Sequence, residues 1–207
     1  MKLIIPKIIL NKPDVTIIKY NAGNIMSVIY ALERIGASYE YTDDPEKISE
    51  AKKIIFPGVG EAGSAMKSIR ESGLDQLIPQ LKQPFLGTCV GMQLLCRYSE
   101  ESNTECLGVF DVDVKRFPKT QGFKIPQTGW NDIFDLKSGL FSGLKENDFV
   151  YYNHGYFAPL SDYTIAKTDY ILHYSAALQK DNFYACQFHS EISGSVGQQI
   201  FENFLKL

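Results

Sequence analysis

Cys89 sits between two glycines in Gly87-Thr88-Cys89-Val90-Gly91, the Gly-x-Cys-x-Gly form of a nucleophile elbow. Glycines at these positions permit a tight turn from strand into helix that leaves the central side chain exposed to a substrate. The helix N-terminus then places positive dipole and free backbone N–H groups beside the sulfur, which favours the thiolate and can stabilise an oxyanion. A small cysteine buried in a Gly-rich turn would show the same pentapeptide, so the chemistry depends on a base elsewhere in the chain.

Phe188-His189-Ser190-Glu191, close to the C-terminus, offers that base. Cysteine catalysis needs a group that takes the thiol proton and later returns it to the leaving amine, and a carboxylate that fixes its tautomer. His189 and Glu191 have the right types. In an extended segment residues two apart face the same side, which would bring imidazole and carboxylate together. His154 and His173 stand as alternative bases. A third element, Pro57-Gly58-Val59-Gly60, follows a predicted strand, and its glycines let backbone amides approach a ligand as an oxyanion hole requires. An ordinary strand-to-helix turn would look the same.

The elements that must position these residues follow from hydrophobic patterning. Short apolar runs alternate with helical periodicity in the first half, the sign of parallel strands joined by crossover helices. Val15 to Ile18 is a predicted strand, followed by a turn at Asn21, Gly23 and Asn24 and a helix carrying Ile25, Val28, Ile29, Leu32 and Ile35 that Gly36 ends. Lys53 to Phe56 is a second strand, and a helical stretch from Ala62 to Leu81 is interrupted by Gly73 and Pro79. Pro84 to Gly87 leads into the elbow. Shorter strands are predicted at Val109 to Phe117, Phe149 to Tyr152, Thr164 to Lys167, Ala176 to Gln179 and Phe183 to Gln187, with a closing helix at Gly197 to Leu207. The expected fold is α/β in three layers, a mostly parallel central sheet flanked by helices, with a smaller antiparallel strand-rich region in the second half.

A chain of 207 residues can bury about 70 % of its unfolded surface in one core. Residues 14–207 are read as a single domain and residues 1–13 as an extension ahead of it. Pro6 and Lys7 break the apolar start, and no small-residue cleavage site follows. No run approaches the roughly 20 apolar residues of a membrane span. The net charge of -3 gives no pull towards nucleic acid or anionic lipid. The aromatics of Phe149 to Phe157 lack the interleaved basic residues of a base-stacking platform. Cys89, Cys96, Cys106 and Cys186 lack zinc-ligand spacing, so neither a metal nor a disulfide framework is expected, and a reducing cytoplasm is the simplest compartment. Trp130 is read equally as a turn anchor or a partner contact.

Taken in order, Pro57 to Gly60, Gly87 to Gln93 and His189-Ser190-Glu191 resemble the class I (triad) glutamine amidotransferases, whose fold is flavodoxin-like. More narrowly, the stretch from Val15 to the C-terminus is similar to the glutaminase subunits of imidazole glycerol phosphate synthases. The resemblance implies that Cys89 attacks the side-chain amide of L-glutamine, that His189 is base and then acid, and that Glu191 orients it. A glutamyl thioester would form and be hydrolysed, with no cofactor. It further implies that Gly58, Val59, Gly60 and the Val90 amide lie near the oxyanion, that Gln93 and Glu101 bind the glutamine head group, and that His154, Gly155 and Tyr156 line the site. The partner it implies is a (β/α)8-barrel cyclase that receives the ammonia and yields imidazole glycerol phosphate and AICAR in histidine biosynthesis. Activity would be weak until the partner docks and the Pro57–Gly60 strand flips.

Some positions depart from the family pattern: Ser190 stands where proline is common, Ile192 where an interface lysine is common, and Gln127 where histidine is common, while Lys19 and Asn21 also differ from the usual first turn. None removes a catalytic group. One alternative shares all the glutaminase residues, a paralogue that supplies ammonia for amidination of a bacterial surface sugar; another is a different cysteine hydrolase on the same fold, a γ-glutamyl hydrolase that acts without a partner. A binding module without turnover is the third, and it has no positive support when all three triad residue types are present.

Overall fold

The computed structural model describes residues 12–20 and 25–207. The predicted turn at Asn21, Gly23 and Asn24 and most of the 1–13 extension lie outside the described residues.

In chain order the first half runs β1 (Val15–Ile18), α1 (Met26–Arg34), β2 (Tyr39–Thr42), α2 (Pro45–Ser49), β3 (Ile54–Phe56), α3 (Ala62–Glu71), α4 (Leu74–Leu77), β4 (Phe85–Thr88) and α5 (Val90–Leu95). The strands β5 (Cys96–Ser99), β6 (Thr104–Glu105), β7 (Phe110–Arg116), β8 (Gln127–Ile133), β9 (Asp148–His154), β10 (Tyr156–Phe157), β11 (Thr164–Tyr170), β12 (Leu172–Lys180) and β13 (Phe183–Cys186) follow, closed by α6 (Gly194–Phe204). Seven strands form the central sheet in the order β11-β12-β13-β4-β3-β1-β2. Its pairings from β13 through β2 are parallel, and β11, β12 and β13 pair antiparallel.

Alternation along the buried strands produces the three layers. Val15 and Ile17 of β1, Ile55 of β3 and Leu86 of β4 pack in one core with Leu32 of α1 and Phe201 of α6. Ile18, Ile54, Phe56 and Phe85 point to the opposite core, with Met66 and Ile69 of α3 and Leu94 of α5. Successive side chains of an extended strand face opposite sides, so a strand buried on both faces is mostly apolar, as β1, β3 and β4 are, with Thr16 and Thr88 the buried polar exceptions. The expected fold class is what the structure has.

Differences from expectation are local. The stretch from Ala62 to Leu81 breaks where expected, at Gly73, whose φ of +71° is left-handed, and at the 3-10 turn Ile78–Gln80 containing Pro79. The closing helix starts three residues earlier than expected, at Gly194. β2 and α2 were not anticipated: Tyr39–Thr42 is a partly exposed edge strand without an apolar run. The late strands are not all a separate region either, since β11 to β13 continue the central sheet. The hairpin β8-β9 and the small sheet β10-β7-β5-β6 stand apart from it. Among the described residues no helix is long and apolar enough to cross a membrane, and all four cysteines are free thiols.

Candidate active site

One pairing brings the middle of the chain beside its C-terminal part. β13 lies parallel to β4, with Cys186 beside Thr88, and the Cys89 N–H donates to the Cys186 carbonyl at 2.8 Å. Both strands therefore finish at the same edge, in the crevice outside the carboxyl ends of a parallel sheet where ligands bind in such folds. Cys89 follows β4 by one residue and His189 follows β13 by three.

The elbow is strained where the chemistry needs it. Cys89 has φ +50° and ψ −112°, a region an L side chain rarely occupies, and it sits at the N-cap of α5. Close packing explains the glycines: a Cβ on Gly91 would lie 2.2 Å from the Phe56 carbonyl oxygen, and one on Gly87 would lie 2.8 Å from Leu95 Cδ1. Gly91→Ala must push α5 off β3, and we expect it to lower unfolding stability by about 3 kcal/mol, read as a fall in the urea midpoint. An unchanged midpoint would mean the elbow is looser than its geometry.

His189 Nδ1 and Glu191 Oε1 are 2.7 Å apart, and both side chains are buried. That leaves Nε2 on the side of the ring away from Glu191, and the charge of Cys89 acts on the imidazole. The pair does not form along an extended segment, as the sequence suggests. His189 has extended φ and ψ, but Ser190–Ile192 is a 3-10 turn, and that turn swings the carboxylate back to the ring. The turn is tied down from several sides. The Ser193 hydroxyl donates to the His189 carbonyl at 2.6 Å and accepts from the Tyr151 N–H at 2.9 Å, Arg34 Nη2 donates to the Glu191 carbonyl at 3.3 Å, and α6 approaches so closely that a Cβ on Gly197 would be 1.8 Å from the Ser190 oxygen.

Burial alone would push the His189 pKa down, but the charge of Cys89, joined by the charge and hydrogen bond of Glu191, outweighs it and raises it from 6.5 to about 11. The folded state thus holds this proton more tightly than the unfolded chain. Its contribution to stability is complete below about 6.5 and is lost as pH rises through about 11. The stability gap between the wild type and His189→Asn should accordingly narrow as alkaline pH is approached in urea titrations. A gap that widened would contradict the pairing.

The alternative bases fall away. His154 is buried with Nδ1 2.6 Å from the Tyr156 carbonyl oxygen and Nε2 3.0 Å from the Tyr174 hydroxyl, and burial lowers its pKa to about 4. It is a neutral core residue at the end of the β8-β9 hairpin. Tyr174 also bonds Gln127 at 2.7 Å, so the unusual Gln127 belongs to the same buried chain. His173 is exposed beside Asp169.

Gly58 lies against the first turn of α5, Val59 is exposed and Gly60 adopts φ +120°. Val90 is the first residue of α5. Glu101 accepts from the Ala62 N–H at 2.8 Å at the start of α3, and burial raises its pKa. Gln93 turns inward instead of presenting its amide nitrogen to a ligand: Nε2 donates to the Tyr156 carbonyl and to Gln187 Oε1, each at 3.0 Å. Gln187, fully buried, contacts Cys89 Sγ through Nε2 at 3.9 Å, and the sulfur lies 3.9 Å from the Asn153 carbonyl oxygen. Sequence reasoning missed Gln187 and Asn153 as neighbours of the nucleophile. Gln187 could have been found, because it sits two residues before His189 at the end of a strand.

A strained cysteine elbow, a His–Glu pair from a neighbouring parallel strand and a glycine turn facing the elbow are the parts of a cysteine amidohydrolase. The chain belongs to the class-I glutamine amidotransferase family, whose description matches residues 16–207. It is similar to the imidazole glycerol phosphate synthase subunit HisH of Bacteroides fragilis, 56 % identical over 194 residues covering 93 % of this chain and 99 % of that one. The subunit of the same name from Shewanella loihica is 42 % identical, covering 96 % of this chain and 92 % of the relative. Among solved structures, a glutamine amidotransferase aligns with TM-score 0.72 at 20 % identity over 93 % of this chain and 97 % of that one. PurLQS from Thermotoga maritima aligns with TM-score 0.64 at 17 % identity, over 95 % and 99 % of the two chains. These structural likenesses show the fold; the family match makes the chain a glutamine amidotransferase.

Proposed function

We propose that this chain is the glutaminase subunit of an imidazole glycerol phosphate synthase, acting as one domain over residues 14–207. The observation that carries the chemistry is the hydrogen-bonded His189–Glu191 pair brought to the edge of β13 beside β4, where Cys89 stands and its charge acts on the imidazole. The Cys89 thiolate attacks the side-chain carbonyl carbon of L-glutamine, and the negative charge moves to the carbonyl oxygen, facing the backbone amides of Val90 and the Gly58–Gly60 turn. His189 gives its proton to the nitrogen, the C–N bond breaks, ammonia leaves and a glutamyl thioester remains. His189 then takes a proton from water, whose oxygen attacks the thioester, and glutamate departs as the thiol is restored. Glu191 holds the ring so that Nε2 faces the sulfur throughout. One oxygen of Glu101 is committed to the Ala62 N–H, and the other is available to the ammonium group of the substrate.

The relatives named imidazole glycerol phosphate synthase subunit support a (β/α)8-barrel cyclase as the receiver of the ammonia, and with it histidine biosynthesis over surface-sugar amidination. Exposed apolar side chains next to the triad turn support a docked partner. Ile192 lies in the turn itself, and Trp130 packs edge-on against Tyr151 with its ring about 4.0 Å from where a Cβ on Gly194 would be. With Ile192 in place of a lysine, this part of the interface is apolar, and the partner residue opposite needs no carboxylate. The test is to titrate the cognate cyclase subunit into the chain and follow glutamate release. We expect slow hydrolysis alone and a rise on the order of tenfold or more on saturation. Full activity without a partner would instead support a stand-alone hydrolase.

A further inference from the structure

Tyr20 lies just past the end of β1, is buried, and packs its ring at a tilt against Phe56 with centroids 5.0 Å apart. Its hydroxyl donates a hydrogen bond to the Pro57 carbonyl oxygen. Burial pushes the phenol pKa up, so it remains a donor throughout the working range. The only cis peptide among the described residues is Ile125-Pro126, so the Pro57-Gly58 peptide is trans. In a trans peptide the C=O and the next N–H point in opposite directions, so a fixed Pro57 oxygen also fixes the direction of the Gly58 N–H. Gly58 in turn abuts the nucleophile's own helix: a Cβ there would lie 2.0 Å from the Gly91 nitrogen and 2.8 Å from Val90 Cα. The peptide that Tyr20 holds is therefore in contact with the residues that immediately follow Cys89.

We propose that Tyr20 is a positioning residue for the oxyanion, holding the first peptide of the Pro57–Gly60 turn so that the turn's amides meet the charge that develops on the substrate carbonyl. This rests on the glutaminase reading and deepens it. Tyr20 acts through the backbone of Pro57 and Gly58.

The test is Tyr20→Phe in the complex with the synthase subunit, since phenylalanine keeps the ring packing and removes only the donor. The expected result is a fall in kcat of about tenfold, the loss of one hydrogen bond of ordinary net strength, with KM for glutamine within about twofold. Affinity for the γ-aldehyde analogue of glutamate should fall by the same factor. Cys89 adds to that aldehyde to give a tetrahedral adduct whose oxygen occupies the oxyanion position. Glutamate binding should not change. Replacement of Tyr20 by 4-aminophenylalanine keeps a weaker N–H donor and guards against a folding defect; its kcat and aldehyde affinity should fall between the other two, in step. Values within twofold of wild type for Tyr20→Phe, a rise in kcat, or a loss of kcat with aldehyde affinity unchanged would overturn the proposal. A wild-type complex without Cys89-dependent glutaminase activity would instead reject the function on which it rests.

Discussion

Cys89→Ala should lower glutamine hydrolysis by at least about ten thousandfold, because removal of one member of a nucleophile–base unit costs nearly the whole unit. The other three cysteines cannot substitute. Cys96 and Cys186 are fully buried, and burial pushes both thiols well above their ordinary range, while Cys106 is raised to about 12 for the same reason. The same variant should still bind the synthase subunit and should support synthesis when ammonium salt replaces glutamine, since the second reaction needs only the nitrogen. A steady-state assay with each nitrogen source checks both halves. Loss of the ammonia-dependent reaction together with the glutamine-dependent one would show that the substitution had disrupted the complex, not the chemistry.

The second large effect is expected at Glu191. Glu191→Gln keeps the size and shape of the side chain but replaces an acceptor that holds Nδ1–H by an amide that can present a donor there. The ring is then free to adopt the tautomer that places a proton on Nε2, where the base is needed, and the charge that stabilises the imidazolium is gone. We expect kcat to fall by about a thousandfold or more with KM little changed and the folded structure retained, measured by steady-state kinetics alongside thermal unfolding. Full activity would remove Glu191 from the site. The narrowing of the stability gap between the wild type and His189→Asn at alkaline pH reports on the same proton by a different route.

The pieces of this site were legible in the sequence to different degrees, for physical reasons. The elbow could be read because two local requirements coincide there: an apolar strand, Phe85 to Thr88, buried throughout, and glycines where neighbouring backbone leaves no space for a Cβ. The helix break at Gly73 and the stop at Gly36 could be read for a similar reason, since both residues are left-handed. The α2 helix could have been read and was not. Asp44 caps it by accepting from the Glu46 N–H, and Pro45 occupies its first position, both recognised start signals. Its short length hid it.

Other features were not legible from local pattern at all. That β13 inserts beside β4, 98 residues after Cys89 in the case of Gln187, is a matter of long-range pairing, and no periodicity in either segment announces its neighbour. The family resemblance, and not composition or spacing, therefore carried the step from separate motifs to a triad. The geometry of the His–Glu pair shows the limit of local reasoning: two residues apart on a strand predicts a common face, whereas the observed contact depends on a 3-10 turn held by Ser193 and α6. The inward orientation of Gln93 has the same origin. Its position one turn beyond Cys89 on a short helix is evident in the sequence, but the Tyr156 carbonyl and Gln187 that capture its amide come from distant strands.

The most direct measurement is to quench the complex in acid during turnover with radiolabelled glutamine and to analyse the intact chain and its peptides by mass. The account predicts a chain heavier by one glutamyl group, glutamine less ammonia, with the label on the peptide that holds Cys89 and absent from Cys89→Ala. Label on another residue, or Cys89→Ala turning over glutamine at the wild-type rate, would contradict it.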